Sequence, residues 1–223
     1  MTQTEQGYSI YDRVFQRHEM DDVVKALAAA PMERTKAGSR HVLSVPTVRA
    51  LSVDPRLVSI ASQFVGPTVV AFRATLFDKS PTSNWLVIWH QDTALPLRSR
   101  IDGVEWGPWS TKAGVLYAHA PAWALEQVVA LRVSLDDSTT RNGPLRVLPE
   151  SHCRGVFSDE QIAQLARQTT PVDCVASSGS VVAMRPLIVH ASSKSLDAQR
   201  RRVLHLEYAA AVSLGQGVAL AVG

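Results

Sequence analysis

The sequence is poor in cysteine and lacks long apolar runs. Its only cysteines are Cys153 and Cys174, which excludes a disulfide framework and an all-cysteine zinc site. No apolar run approaches the roughly 18 residues that a membrane span needs. The N-terminal segment is polar, without the basic start and apolar stretch of a secretory signal. We therefore expect a cytoplasmic protein that does not enter a membrane.

Charge of either sign is modest. The 223 residues include 23 basic and 20 acidic side chains, and 46% of them are apolar, a balance that is typical of a folded domain and excludes a disordered chain. The arginines are scattered, apart from the run Arg200 to Arg202. Nucleic-acid binders usually cluster their cations on one face, so we expect no nucleic-acid partner.

The pattern of the chain predicts helices followed mainly by short strands. Helices are expected over Asp21–Ala30, over Asp54–Gly66, where Asp54 and Pro55 form a start signal, and over Ser158–Gln168, where Ser158 and Gln161 have capping-box spacing. Runs rich in β-branched and apolar residues predict the strands Val69–Phe77, Trp85–Gln91, Val128–Leu135, Leu145–Leu148, Val181–Met184 and Val203–Tyr208.

This order of elements favours one domain with a mostly β core. N-terminal helices before many short strands predict a β-barrel or a double-sheet sandwich with a helical cover. We expect one domain over residues 1–223, with the cover in residues 1–66 and the core in about 69–209. The longest weakly patterned stretch, Thr93 to Ala124, is expected to be a loop, and loops of this length are often lids.

A histidine and an aspartate lie two residues apart at the end of an apolar strand. His90 and Asp92 would point to the same side of that strand, which supplies two thirds of a 2-His-1-carboxylate site for Fe(II). The pair alone is common enough by chance to be a surface histidine beside a solvated carboxylate. His205 and Glu207 share the spacing within an apolar strand, where a buried, hydrogen-bonded pair is the simpler interpretation.

The third ligand is expected from a second apolar run. His190 ends the run that begins at Val181, and it is followed by Ser192 and Arg201. A lone histidine at a strand end is more often structural than a ligand. A nearby hydroxyl and guanidinium favour the ligand interpretation, because these groups suit the binding of a dicarboxylate co-substrate.

Three blocks of sequence together resemble the phytanoyl-CoA dioxygenase (PhyH-like) family of Fe(II)/2-oxoglutarate-dependent oxygenases. They are WHQDT (Trp89 to Thr93), NGPLRVLPESH (Asn142 to His152) and HASSKSLDAQRRRVLHLEY (His190 to Tyr208). The resemblance implies an all-β core with covering helices, folded as a double-stranded β-helix, the jelly-roll shared with cupins. It also implies three cofactors and co-substrates: Fe(II), 2-oxoglutarate and O2.

The resemblance assigns roles to individual residues. It makes His90, Asp92 and His190 the iron ligands and catalytic residues. Arg201 and Ser192 would bind the far carboxylate of 2-oxoglutarate, with Lys79 and Gln91 also in the cofactor-binding set. The turn block at Asn142, Gly143 and Pro149–His152 is expected to be purely structural. Two positions depart from the family pattern: Glu150 replaces a usual glycine, and Arg132 replaces a common aromatic.

The expected reaction is hydroxylation of a C–H bond in a small, anionic metabolite such as an amino acid or a biosynthetic intermediate, with release of succinate and CO2. Because Asp92 is a carboxylate, hydroxylation is favoured over halogenation. Candidate substrate contacts are Arg73, Arg98, Arg100, Trp106 and Trp109. Two alternatives stay open: a cupin-type metal enzyme that does not use 2-oxoglutarate, and a non-catalytic binding domain of the same fold. The oligomeric state is not predicted.

Overall fold

The structure, a computed structural model, describes residues 3–36, 38–101 and 105–223. The α-helices within these ranges are α1 (Arg17–Ala29), α2 (Pro46–Ser52), α3 (Pro55–Val65), α4 (Ala122–Leu125) and α5 (Asp159–Gln168). The strands are β1 (Tyr8–Tyr11), β2 (Gly38–Arg40), β3 (Val70–Lys79), β4 (Val87–His90), β5 (Ala94–Leu97), β6 (Trp109–Lys112), β7 (Val115–His119), β8 (Val128–Ser134), β9 (Leu145–Val147), β10 (Val172–Cys174), β11 (Val181–Met184), β12 (His190–Ser192), β13 (Arg201–Ala209), β14 (Ser213–Gly215) and β15 (Val218–Ala219).

Two antiparallel sheets form the core of a jelly-roll. The larger sheet has the strand order β1-β11-β8-β13-β3-β2, and the smaller has the order β10-β9-β12-β4. Both sheets contribute side chains to one cavity, which therefore lies between them. The predicted fold class, an all-β core with covering helices, is confirmed.

Alternation along the strands of the larger sheet separates the cavity from the main apolar core. On β3, Ala74 and Leu76 pack among buried side chains of α1, α2 and α3, while Thr75, Phe77 and Lys79 line the cavity. On β13, Leu204 and Leu206 also belong to that core, whereas His205 lies on the cavity side. Successive side chains of a strand point to opposite faces, so one sheet can carry both surfaces.

The helical predictions are confirmed with one shifted boundary. The structure places α1 at Arg17, one turn before the predicted start at Asp21, because Gln16 caps the helix in a capping box with Glu19. The helix α3 begins after Asp54, whose side chain accepts a hydrogen bond from the Arg56 amide. The capping box of Ser158 with Gln161 is present at α5.

The expectation of a loop from Thr93 to Ala124 is wrong for about half of that stretch. The strands β5, β6 and β7 form a three-stranded sheet in the order β5-β7-β6, and residues 102–104 lie outside the described part. The strands are four or five residues long, and β6 reads Trp-Ser-Thr-Lys, too polar to show an alternating pattern. The sheet packs on a second apolar core that includes Leu95, Leu97 and Leu125.

Among the described residues, no helix combines the length and the apolar character needed to cross a membrane.

Candidate metal and co-substrate site

Two neighbouring strands of the smaller sheet bring the predicted iron ligands together. His90 ends β4, His190 begins β12, and the two residues are paired in the antiparallel register. Asp92 follows β4, and its amide donates a hydrogen bond to the Pro186 carbonyl at 2.9 Å. Ligand atoms of the three side chains all lie within 4.8 Å of one another, so one metal ion could contact all three.

Each histidine is oriented by its own strand. Nδ1 of His90 lies 2.9 Å from the Ile88 carbonyl oxygen, and Nδ1 of His190 lies 2.9 Å from that of Ile188. A carbonyl oxygen only accepts, so each Nδ1 carries the proton and each Nε2 presents its lone pair. The Nε2 atoms lie 3.6 and 3.5 Å from the Asp92 carboxylate oxygens. A metal ion needs this tautomer, and the backbone selects it.

The charge states of His190 and Asp92 also suit a metal. Burial lowers the pKa of His190 to about 4, which keeps its imidazole neutral. Burial alone would raise the pKa of Asp92, but the neighbouring His190 and His90 outweigh it and hold that pKa well below its usual value. A neutral imidazole and an ionised carboxylate are the forms that bind Fe(II). The donor set therefore fits the metal that the sequence predicts.

Gln91 lies between the ligands but is held by the backbone. Its amide nitrogen donates to the carbonyls of Leu187 and Gly155, at 2.7 and 2.9 Å, and its oxygen accepts from the Phe157 amide at 2.8 Å. These three bonds join the segment after β4 to the segments before β12 and α5. The contacts identify Gln91 as a positioning residue for Asp92, since its amide is occupied by protein groups.

The predicted co-substrate residues converge on the same cavity. The Lys79 ammonium donates to Ser192 Oγ at 2.7 Å and also to the Ser193 carbonyl. Arg201 lies opposite Lys79 in the register of β13 and β3, and both side chains are buried. Among the described residues, neither cation has a carboxylate within 4 Å.

Burial makes these cations strong anion receptors. It lowers the pKa of Lys79 to about 7 and that of Arg201 to about 10, and the charge of Arg132 adds to both effects. A buried cation without a carboxylate in contact is costly until an anion compensates it. The pair of Lys79 and Arg201 is therefore arranged for a carboxylate ligand.

The Asn142–Gly143 turn does more than shape the sheet. The Asn142 carbonyl accepts from Arg201 Nε at 3.2 Å, and the Gly143 carbonyl accepts from Ser192 Oγ at 2.8 Å. Gly143 has φ +68°, and a Cβ there would lie 2.2 Å from the Ser193 carbonyl oxygen and 3.2 Å from Lys79 Nζ. The expectation of a purely structural role is therefore incomplete, because this turn also positions the co-substrate side chains. The sequence carried no signal of that contact, because the partners are about 50 residues away.

Arg73 lines the cavity, but its charge is compensated. It forms a two-pronged ion pair with the buried Glu207, opposite it in the register of β3 and β13. Its guanidinium carbon also lies 5.5 Å from the centre of the Tyr117 ring. His205 and Glu207 thus form a buried polar pair, as expected from their spacing. The Nε2 atom of His205 is 4.0 Å from the Glu207 carboxylate.

The other four predicted substrate residues do not line the cavity. Trp106 is buried in the second apolar core, edge to face with Trp123. Arg100 lies over the Trp109 ring, 5.4 Å from its centre. The Arg98 amide donates to the Ala219 carbonyl, which ties β5 to the C-terminal strands. A substrate contact by any of the four stays a prediction, and it would require a different conformation of this segment.

The cavity has a volume of about 360 Å³, which suits a small ligand. In the described part of the chain, a single carboxylate, Asp92, lines it, together with six cationic side chains: Arg40, Arg73, Lys79, Lys112, Arg132 and Arg201. Sequence reasoning missed the contribution of β6 and β7, which add Lys112, Tyr117 and His119. The His119 ring bonds to the hydroxyl of Thr93 at 2.8 Å, the residue directly after the predicted metal ligand Asp92.

Comparisons with known proteins agree with this geometry. The family model described as Phytanoyl-CoA dioxygenase (PhyH) matches residues 5–203. An L-proline trans-4-hydroxylase of Streptomyces griseoviridis is 26% identical over 180 residues, which is 69% of this chain and 59% of the relative. The matched region thus spans less than two thirds of that relative's length.

Solved structures share the fold. EctD from S. alaskensis, with 2-oxoglutarate and 5-hydroxyectoine, superposes with a TM-score of 0.71 at 22% identity, covering 94% of this chain and 74% of EctD. HygX from Streptomyces hygroscopicus, with nickel and 2-oxoglutarate bound, gives a TM-score of 0.67 at 16% identity, covering 93% of this chain and 84% of HygX.

Proposed function

The chain belongs to the phytanoyl-CoA dioxygenase family, and from that premise we propose that it is an Fe(II)- and 2-oxoglutarate-dependent oxygenase that hydroxylates a small, anionic metabolite. Enzymes of this family use Fe(II), 2-oxoglutarate and O2. One observation carries the proposal. The metal ligands His90, Asp92 and His190 share a cavity with the cations Lys79 and Arg201.

The protein groups have separable tasks. His90, Asp92 and His190 would hold Fe(II), which, when bound, supplies the oxidation of 2-oxoglutarate by O2 to succinate and CO2 and the hydroxylation coupled to it. Arg201 would pair with the far carboxylate of 2-oxoglutarate, and Ser192 would donate a hydrogen bond beside it. The cavity walls position these groups around the metal and the co-substrate.

This arrangement supports use of the keto acid over the metal-only alternative. A cupin-type enzyme without 2-oxoglutarate needs the three ligands, but it has no need for two buried, uncompensated cations beside them. The complete ligand set also supports catalysis over a non-catalytic binding role.

The charge of the cavity supports an anionic substrate. A dicarboxylate co-substrate and Asp92 together bring three negative charges, against six cations and a divalent metal. Glu207 compensates one of the cations, Arg73. The remaining positive charge lies partly at Arg40 and Lys112, which have no carboxylate within 4 Å among the described residues. We propose an amino acid or a similar small acid as substrate, in line with the proline hydroxylase relative.

Succinate release tests the proposal. Iron-loaded protein with 2-oxoglutarate and O2 should release succinate faster when its substrate is present, and a panel of amino acids and other small acids should contain compounds that stimulate it. The Asp92→Ala variant should release none above background. Equal release by the wild type and this variant across the panel would refute the proposed activity.

A further inference from the structure

Arg132 is a cation in the interior of the larger sheet. It lies on the central strand β8, opposite His205 of the neighbouring β13. Its guanidinium carbon lies 5.3 Å from the centre of the Phe77 ring, and Phe77 belongs to β3, on the far side of β13. The side chain therefore extends across β13 over the floor of the cavity, which it lines.

The strand register shows which part of β13 the Arg132 guanidinium lies over. Phe77 pairs with Val203, which is midway along β13 between Arg201 and His205. Along β13, the Arg132 guanidinium thus lies between His205 and Arg201, the residue proposed to bind the far carboxylate of 2-oxoglutarate. The opposite sheet carries the metal ligands, so a ligand that extends from Arg201 toward the metal would pass over Arg132.

Arg132 forms no ion pair within the part of the chain that the structure describes, although the charge of Asp92 acts on it from a longer distance. Among the described residues, its one hydrogen bond runs from an Nη atom to Nδ1 of His205, at 3.2 Å. Accepting this bond leaves the His205 proton on Nε2, which faces Glu207. Glu207 itself is bound to Arg73. The Arg132 side chain lines the cavity, and a buried positive charge there favours a ligand that brings an anion.

We propose that Arg132 is a second co-substrate-binding residue, which holds the carboxylate at the keto end of 2-oxoglutarate while Arg201 holds the carboxylate at the far end. The inference rests on the proposed function, since it assumes that 2-oxoglutarate binds here. His205 is then a positioning residue, because it keeps the guanidinium extended over Phe77. Two guanidiniums would match the two carboxylates in number and in order along the cavity.

Two keto acids separate the roles of the two arginines. 2-Oxobutyrate has the keto-end carboxylate of 2-oxoglutarate but lacks the far one. Binding is measured by calorimetry on Ni(II)-loaded protein, because nickel in place of iron prevents turnover. Arg132→Met should weaken the binding of both acids by a similar factor, about 10- to 100-fold. Arg201→Met should weaken 2-oxoglutarate and leave 2-oxobutyrate unchanged.

Controls separate a direct contact from general charge and from misfolding. Arg40→Met removes a positive charge from the rim of the same cavity, and it should leave the affinity for 2-oxoglutarate within about two-fold, because distant charges are screened. Arg132→Lys keeps the charge without the planar fork and should give an intermediate loss. Arg132→Lys also replaces Arg132→Met as the test variant if Arg132→Met does not fold. The melting temperature and the nickel content of each variant show whether it has folded.

The outcomes distinguish the two proposals. If the wild type does not bind 2-oxoglutarate, the proposed function fails. If the wild type binds it and Arg132→Met binds both acids as tightly, the inference about Arg132 fails and the proposed function stands. A loss for 2-oxoglutarate alone would also overturn the inference, because it would place Arg132 at the far carboxylate.

Discussion

At the scale of single residues, the candidate site depends on backbone groups that fix side-chain orientation. The carbonyls of Ile88 and Ile188 hold the two histidines in one tautomer, and Gln91 anchors the segment that carries Asp92. These contacts fix the orientation of the three donor side chains, which is what a preorganised metal site requires.

The carboxylate ligand gives the first prediction. Asp92→Ala should reduce the Fe(II) bound by the purified protein to the level of a metal-free control, because two neutral imidazoles remain. Metal content after anaerobic loading and desalting measures this. Asp22→Ala, which removes an exposed carboxylate paired with Lys25, is the matched control and should bind iron like the wild type. Stoichiometric iron in Asp92→Ala would show that the ion binds elsewhere.

Lys79 gives a prediction about pH and stability. Its pKa is about 7 in the folded protein, against about 10.4 in an unfolded chain. Between these values the unfolded state binds more protons, so the contribution of Lys79 to stability rises with pH through this window. We expect Lys79→Met to reduce the gain in the free energy of unfolding between pH 7 and pH 10 by about 3 kcal/mol.

Urea unfolding of the metal-free protein at several pH values measures this gain. Lys25→Met removes an exposed lysine and should keep the wild-type pH dependence. If Lys79→Met keeps it as well, Lys79 is protonated throughout this range and the assigned environment is wrong.

The sequence predicts the site residues better than their contacts. His90, Asp92, His190, Ser192 and Arg201 could be selected because spacing along strands and a family resemblance both single them out. The ion pair that compensates Arg73 and the bond between Arg132 and His205 depend on register between strands that are far apart in the chain. No local pattern encodes that register.

At the scale of elements, α5 supports the strand that carries His90. Ile162 of α5 packs with Val189 and with the half-buried Trp89 of β4. The sequence signal for this helix, its capping box, is confirmed. Local signals of this kind can be read from the sequence because cap and helix are adjacent in the chain.

Removal of the α5 cap should cost stability without changing the chemistry. Ser158→Ala removes the side-chain acceptor for the Gln161 amide, and we expect a loss of about 1 kcal/mol. Chemical denaturation measures it, with Asp159→Asn, which leaves the Ser158 cap in place, as a comparison. A wild-type stability for Ser158→Ala would mean that the cap contributes nothing to the folded state.

The Asn142–Gly143 turn should couple stability to co-substrate binding. Gly143→Ala places a Cβ against the Ser193 carbonyl at positive φ, which costs about 1 to 3 kcal/mol and displaces the neighbours of Lys79. We expect a lower melting temperature together with weaker 2-oxoglutarate binding. Gly66→Ala, at the end of α3, has positive φ but open space around it, so it should lower stability alone. Unchanged 2-oxoglutarate affinity in Gly143→Ala would show that the turn is only structural.

At the scale of the whole molecule, the N-terminal helices and the jelly-roll share one apolar core. Phe15, Met20 and Leu57 lie in the same cluster as Leu131 and Leu204. The pattern of helix and strand signals predicts a helical cover before a β core, but β1 and β2, which lie in the predicted cover, are the two edge strands of the larger sheet. The pairing of β3 with β13, residues 70–79 with 201–209, could not be predicted from the sequence, because only the folded chain brings them together.

A shared core predicts one cooperative unfolding transition. Melting followed by far-ultraviolet circular dichroism and by tryptophan fluorescence should give the same midpoint, since the helices cannot leave without exposing the outer face of the larger sheet. Leu57→Ala, in the centre of that core, should shift both midpoints together and cost about 2 to 5 kcal/mol. Two separate transitions would contradict the prediction of a single domain.

The central claim is that one ferrous ion and 2-oxoglutarate bind together between the two sheets. The most direct measurement is the absorption spectrum of anaerobic protein with Fe(II), before and after addition of 2-oxoglutarate. We predict a weak visible charge-transfer band that appears with the keto acid, is absent in Asp92→Ala, and requires a higher 2-oxoglutarate concentration in Arg201→Met. Folded, iron-loaded wild-type protein that shows no band at saturating 2-oxoglutarate would contradict the account.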